Sequence, residues 1–225
     1  MSNIDVYVVC EGQTEQTFIR EVLAPEMSSK GIFLHAALIG KPGHKGGDIK
    51  FDRAIKDIEL FLKQRQDTYI STMFDYFRLE PSWPGNAKVP GNSTATQKAQ
   101  KIEAATFSHI KDLFPNHNVE RRLIPYIEMH EFEALLFSDI SILADKINVD
   151  HTKIENILNE CGEPEEINDR PDKAPSKRLI GLQSSYRKVA MGETISKAIG
   201  IQTIREKCTH FNEWLIRLER LPEGL

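Results

Sequence analysis

The sequence predicts an α/β protein in which a mainly parallel sheet with flanking helices is followed by a C-terminal helical lobe. Apolar runs typical of buried strands alternate with segments of helical spacing up to about residue 128, and only helical spacing follows. Strands that alternate with helices of this length form βαβ units, whose strands are parallel. We therefore expect an α/β domain over residues 1–138 and a helical lobe over residues 139–225 that packs on it.

The N-terminal segment contains the first strand and helix of this pattern. Residues 6–10 form a compact apolar run with β-branched side chains, which favours a buried strand. Residues 14–27 carry Phe18 and Val22 at helical spacing, and Thr14 is the candidate N-cap. A strand followed at once by a helix is the start of a βαβ unit.

The following elements repeat this order up to the last predicted strand. They are a strand at 32–39, a loop at 40–47, a helix at 48–65, a strand at 69–74, a helix at 93–113 and a strand at 123–128. Prolines and glycines between residues 81 and 91 predict an irregular loop that is a candidate lid. Tyr76 and Trp83, in or beside this loop, are candidates for stacking on bases, whereas Trp214 lies among apolar residues at helical spacing and is expected in the core.

The composition is that of a globular protein. Of the 225 residues, 40% are hydrophobic and 28% are charged, close to the average for folded domains. No apolar run approaches the roughly 18 residues that cross a bilayer, and the first residues lack the order of a secretion signal. The three cysteines are widely spaced, which argues against a disulfide framework. We therefore expect a cytoplasmic protein without a membrane partner.

The net charge of −4 conceals a contrast along the chain. Between residues 150 and 172, eight acidic residues oppose two basic ones, whereas between 173 and 210 eight basic residues oppose two acidic ones. Any nucleic acid must therefore bind to a local basic patch, and the second segment is the candidate.

Acidic residues follow the predicted strands where each strand ends. Glu11 follows the first strand, Asp75 follows the third, and Glu128 ends the fourth. Carboxyl ends of parallel strands meet at one edge of a sheet, where open α/β folds bind ligands. Carboxylate clusters suit hard cations such as Mg²⁺ or Mn²⁺, which can activate water for phosphodiester cleavage. The alternative is that each acid is a helix cap or a solvated loop residue.

The turn after the fourth strand adds three candidates. Glu131 and Glu133 are candidates to complete the metal site, or one of them to act as a base. His130 is a candidate ligand or general base near neutral pH, with a half-buried structural histidine as the alternative.

Two segments are candidates for binding phosphate. The glycine-rich stretch 40–47 carries Lys41 and Lys45 but lacks the spacing of a nucleotide-binding P-loop, so a surface turn is the alternative. A predicted helix start at residues 174–178 and the basic run after it provide further candidates, with a solvated helix cap as the alternative. These are Ser176, Lys177, Arg178, Arg187 and Lys188.

The residues 8–15, Val-Val-Cys-Glu-Gly-Gln-Thr-Glu, resemble the first motif of Toprim domains, in which a glutamate and a glycine follow the first strand. Asp75 stands where that superfamily has Asp-x-Asp, but the run here is Asp75-Tyr76-Phe77, without the second aspartate. The resemblance implies a Toprim-like, Rossmann-like fold that binds Mg²⁺ or Mn²⁺, with Glu131 or Glu133 as the source of the absent carboxylate.

Most of the chain is similar to the DUF4276 family of uncharacterised bacterial proteins. The matching stretches are residues 72–76, 130–137, 174–179 and 208–214. Relatives of this type tend to be encoded beside ABC-type or AAA-type ATPases in bacterial defence loci, so the resemblance implies an ATPase partner and a role in anti-phage defence.

These observations lead to two main hypotheses. The first is a metal-dependent phosphodiesterase that cleaves DNA or RNA. The second is a non-catalytic sensor or adaptor subunit that binds nucleic acid or an ATPase, which the absent second aspartate favours. A small-molecule phosphotransfer enzyme is a weaker alternative because the sequence lacks a recognisable nucleotide-binding motif.

Overall fold

The computed structural model describes residues 3–40, 49–88, 93–167 and 171–221, and confirms an α/β fold with a parallel sheet. The strands are β1 (Ile4–Cys10), β2 (Ile32–Leu38), β3 (Tyr69–Asp75), β4 (Leu123–Ile124) and β5 (Ile127–Glu128). Their order is β2-β1-β3-β4, with β5 also beside β3, and every pair is parallel. Glu11 and Asp75 therefore lie at the ends of neighbouring strands.

The fourth predicted strand, 123–128, is divided into β4 and β5 by Pro125 and Tyr126. Proline has no N–H to donate to a neighbouring strand. The hydroxyl of Thr72 bridges the gap, because Oγ1 donates to Tyr126 O and accepts from Tyr126 N–H, both at 2.9 Å. Both short strands thus stay in register with β3.

The first helix begins one residue earlier than predicted. It runs as α1 (Gln13–Phe18), a π-helical turn (Ile19–Leu23) and α2 (Ala24–Ser28), and its N-cap is Gly12 rather than Thr14, so the predicted cap is wrong. Gly12 N–H donates to Glu15 Oε2 at 2.8 Å. A Cβ at Gly12 would lie 3.1 Å from that oxygen, so the turn after β1 favours a residue without a side chain.

One face of the sheet is covered by α3 (Phe51–Gln64) and α4 (Ala95–Leu113), and the short α5 (Val119–Arg122) follows them in the chain. Trp83, in the loop after β3, is 2% exposed, and its indole N–H donates to Thr106 Oγ1 at 2.8 Å. The base-stacking interpretation of Trp83 is therefore wrong, because its ring lies in the core against Phe51 and Phe74. That loop contains 3-10 turns at Tyr76–Arg78 and Asn86–Lys88.

The remaining elements are helical. They are a 3-10 segment (Phe132–Ser138), α6 (Ile140–Ile147), α7 (His151–Cys161), 3-10 turns at Pro164–Glu166 and Pro171–Lys173, α8 (Pro175–Leu182), α9 (Lys188–Ile199), α10 (Ile201–Lys207) and α11 (Thr209–Glu219). Val8 of the sheet and Ile195 of α9 belong to one buried apolar cluster. Trp214 is buried in it, as predicted, and stacks on Tyr126 with ring centroids 4.3 Å apart. The helical part and the sheet therefore share a core.

The structure also bears on the predictions about membrane spans and cysteines. None of the described helices is both long enough and apolar enough to span a membrane. Cys10, Cys161 and Cys208 are all free, and Cys10 is a buried residue of β1, as the sequence predicted.

Candidate active site

The carboxyl ends of β1 and β3 form the switch point of the sheet. The chain leaves β1 towards β2 on one side, whereas β3 pairs with the other side of β1. In open α/β sheets, ligands bind in the crevice at such a point. Glu11 follows β1, with its N–H donating to Met73 O at 3.3 Å, and Asp75 is the last residue of β3.

Glu11 is held by an arginine from the loop after β3. Arg78 Nε donates to Glu11 Oε1 at 2.7 Å, and the carboxylate side chain is 15% exposed. Oε2 of Glu11 is buried without a hydrogen bond. Burial raises the pKa of Glu11, and the hydrogen bond and charge of Arg78 oppose this rise. One oxygen is thus satisfied, and the other is a buried acceptor without a donor.

Asp75 lies deeper. Its Oδ1 accepts the N–H of Phe132 at 2.9 Å, which ties the end of β3 to the 3-10 segment after β5. Burial raises the pKa of Asp75 well above its usual value, and the charges of nearby carboxylates raise it further. These carboxylates belong to Glu15, Glu11, Glu133 and Glu131. The acids therefore form one electrostatic group although they come from separate elements.

Glu15 belongs to this group but was missed as a site residue by the sequence reasoning. It is 5% exposed, and burial, followed by the charge of Glu11, raises its pKa from 4.5 to about 7. The available indication was its place in the run Glu-Gly-Gln-Thr-Glu, residues 11–15, directly after the first strand.

Glu131 and Glu133 connect the acids to the helical part. Glu131 Oε2 accepts the N–H of Ser176, at the start of α8, at 3.0 Å. Lys188 Nζ, at the start of α9, lies 3.3 Å from Glu133 and 3.8 Å from Glu131 Oε1. Burial raises the pKa of Glu133 to about 7, although the charge of Lys188 lowers it. The pairing of Lys188 and Arg78 with these acids was not predicted from the sequence.

The side chains at this edge of the sheet are carboxylates, the type of ligand that hard divalent cations prefer. Crowded carboxylates raise each other's pKa, and a nearby cation reverses that effect. The buried Oε2 of Glu11 is an acceptor that such an ion can use. Within the described ranges, however, no three His, Cys, Asp or Glu side chains converge in a metal-binding arrangement. The carboxylates are instead held by Arg78, Lys188 and backbone N–H groups.

A family model described as "Domain of unknown function (DUF4276)" matches residues 10–219, which include every acid of this group. The chain belongs to the DUF4276 family. No curated protein and no solved structure matches it.

Two further predicted residues of this DUF4276 protein are buried near the site. His130 is 1% exposed, and its ring packs against those of Tyr76 and Phe77, with centroid distances of 5.6 and 5.0 Å. Glu128 accepts the hydroxyl of Tyr126 at 2.7 Å, and burial raises its pKa well above the usual value. Both positions favour structural roles.

The residues of the DUF4276 chain that were predicted to bind phosphate differ from one another in burial and in their contacts. Lys41 and Lys45 lie outside the described residues. Ser176 is buried, and Arg178 donates to Glu160 at 3.2 Å and to Lys173 O at 3.1 Å. The exposed candidates are Lys177, Arg187 and Lys188. Phosphate binding by these residues stays a prediction.

Proposed function

We propose that this DUF4276 protein is a Toprim-like, Mg²⁺- or Mn²⁺-dependent phosphodiesterase that cleaves DNA or RNA. One observation carries the proposal: buried carboxylates from three segments crowd the switch point and raise one another's pKa. Such mutual repulsion costs stability in a protein without a bound cation, and it is typical of functional sites. The proposed metal ligands are Glu11, Asp75, Glu131 and Glu133, with Glu15 as an added candidate.

The residues of the chain suggest a division of roles. When bound, a divalent metal supplies Lewis-acid activation of water and stabilises the leaving oxygen. Without metal, burial raises the pKa of Glu15 and Glu133 to about 7, so whichever of the two does not hold the metal is the candidate to accept a proton near neutral pH. Arg78 and Lys188 are partly exposed cations beside the acids, and charge-assisted hydrogen bonds from such groups can orient a phosphate.

The proposed substrate and partners rest on charge and family. The exposed cations Lys177, Arg187 and Lys188 can attract a nucleic-acid backbone. An ABC-type or AAA-type ATPase partner, a role in bacterial anti-phage defence and a cytoplasmic location belong to the same proposal through the family resemblance.

Cleavage assays on two conservative variants test the proposal. Glu11→Gln and Asp75→Asn remove one charge each while keeping side-chain size, and we expect each to lower the cleavage rate by about 100-fold or more. The assay uses labelled single-stranded DNA, double-stranded DNA and RNA with Mn²⁺, Mg²⁺ or a chelator. The control is Glu206→Gln, an exposed residue of α10, which should retain full activity. Full activity in both site variants, with folding confirmed by circular dichroism, would contradict the proposal.

A non-catalytic sensor or adaptor is the second candidate. It is favoured by the absence, within the described ranges, of a ready three-ligand metal group and by the pairing of the acids with Arg78 and Lys188. In that case the wild-type protein should bind nucleic acid or an ATPase and release no heat when titrated with Mn²⁺. Metal-dependent cleavage by the wild type, lost in Asp75→Asn, would exclude this candidate.

A further inference from the structure

Lys188 is the first residue of α9, and its side chain reaches from the helical part towards the acids. Its Nζ lies 3.3 Å from Glu133 and 3.8 Å from Glu131 Oε1. We infer that Lys188 is an internal counter-cation that competes with divalent metal for Glu131 and Glu133 and thereby sets the metal affinity of the site. This inference rests on the proposed function, because it concerns the same carboxylates.

The exposure of the two partners determines how the competition can occur. The Glu133 side chain is 1% exposed and that of Lys188 is 44% exposed. The acid is therefore fixed in the core, whereas the lysine approaches it from the solvent side on a flexible aliphatic chain. An incoming cation can displace the ammonium group into water, where it keeps its hydration.

The backbone of α9 is less free to move than the lysine side chain. A Cβ at Gly192 would lie 3.0 Å from the ring of Phe132 and 3.7 Å from Thr14 Cγ2, so α9 packs closely on both. Phe132 stands between Glu131 and Glu133 in the chain and is fully buried. Rotation of the Lys188 side chain, without movement of the helix, is therefore the change that frees the acids.

The charges determine the direction of the effect. Lys188 neutralises part of the negative charge of Glu131 and Glu133, and a metal ion that binds there must first break these contacts. The Coulomb attraction lost when an ion pair at these distances is broken is large enough to change affinity by about tenfold. A neutral residue at position 188 should therefore strengthen metal binding, and an arginine should not.

Mn²⁺ titration calorimetry on the full chain tests this inference. Lys188→Met should bind Mn²⁺ about tenfold more tightly than the wild type. Lys188→Arg keeps the charge and should bind as the wild type does. Lys197→Met is the matched control, because Lys197 lies on the same helix with 45% exposure and pairs with Glu193. Equal or weaker Mn²⁺ binding by Lys188→Met would overturn the inference.

Thermal unfolding with and without Mn²⁺ gives a second readout and covers a failure of Lys188→Met to fold without metal. Lys188→Gln is the alternative neutral variant, and Mn²⁺ should raise the melting temperature of the neutral variants more than that of the wild type. If Mn²⁺ binds the wild type and Lys188→Met equally, only this inference fails. If no variant binds Mn²⁺, the proposed function and the inference fail together. Tighter binding by Lys188→Met without cleavage by any variant would contradict catalysis alone.

Discussion

Replacement of Glu15 by glutamine should stabilise the protein at alkaline pH in the absence of metal. Glu15 is buried, and its pKa rises from 4.5 to about 7 on folding. A carboxyl group with a raised pKa in the folded state binds a proton more tightly there than in the unfolded chain. Glu15 therefore does not destabilise the fold below pH 4.5, and its ionisation lowers the free energy of unfolding as the pH rises from 4.5 through 7.

The pKa difference sets the size of this effect. At about 1.4 kcal/mol per pH unit, the pKa shift corresponds to about 3 kcal/mol at pH 8. For a chain of this length, that free energy corresponds to roughly 6–12 °C in melting temperature. Glutamine keeps an oxygen for the N–H of Gly12 but carries no charge, so Glu15→Gln should recover most of this stability at pH 8 and little at pH 5.

Thermal unfolding of the wild type and Glu15→Gln at pH 5, 6, 7 and 8 with a chelator measures the effect. The exposed Glu206→Gln serves as the control and should follow the wild type at every pH. A gain for Glu15→Gln that is the same at pH 5 and pH 8 would refute the electrostatic explanation, and a loss at pH 8 would show that the charged form of Glu15 stabilises the fold.

Two further predictions concern packing. Arg122 is 4% exposed and donates to five backbone carbonyl groups around the end of α3, so Arg122→Met should cost about 3 kcal/mol, measured by urea unfolding. A loss below 1 kcal/mol would contradict this role. Gly192→Leu should lose about 1–3 kcal/mol because of its contact with Phe132, whereas Gly181→Leu, with open space around it in α8, should be neutral or stabilising. Equal effects at the two glycines would contradict the close packing of α9.

The sheet and the first two acids could be predicted because they follow local patterns. Alternating strands and helices indicated parallel strands, and a carboxylate directly after a strand lies at its carboxyl end. The division of the fourth strand was less clear, because Pro125 stands among residues that otherwise favour a strand. Trp83 was misinterpreted because its loop gives no periodicity from which burial can be inferred.

The pairing of the acids with Lys188 and Arg78 depends on tertiary packing. Lys188 lies 55 residues after Glu133 along the chain, and Arg78 lies 67 residues after Glu11. No local pattern relates such positions, and the basic segment that contains Lys188 was interpreted as a candidate for phosphate binding. The contacts of Lys188 follow from the close packing of α9 on Phe132, and that of Arg78 follows from the turn after β3, both of which only the folded chain shows.

Mn²⁺ binding to the wild-type protein and to Asp75→Asn, measured by calorimetry at pH 7.5 and matched by cleavage of labelled nucleic acid, tests the central claim most directly. The proposed function predicts saturable Mn²⁺ binding and cleavage by the wild type, with both strongly reduced in Asp75→Asn while the fold is retained. Absence of both from the wild type, or identical binding and cleavage by the two proteins, would contradict it.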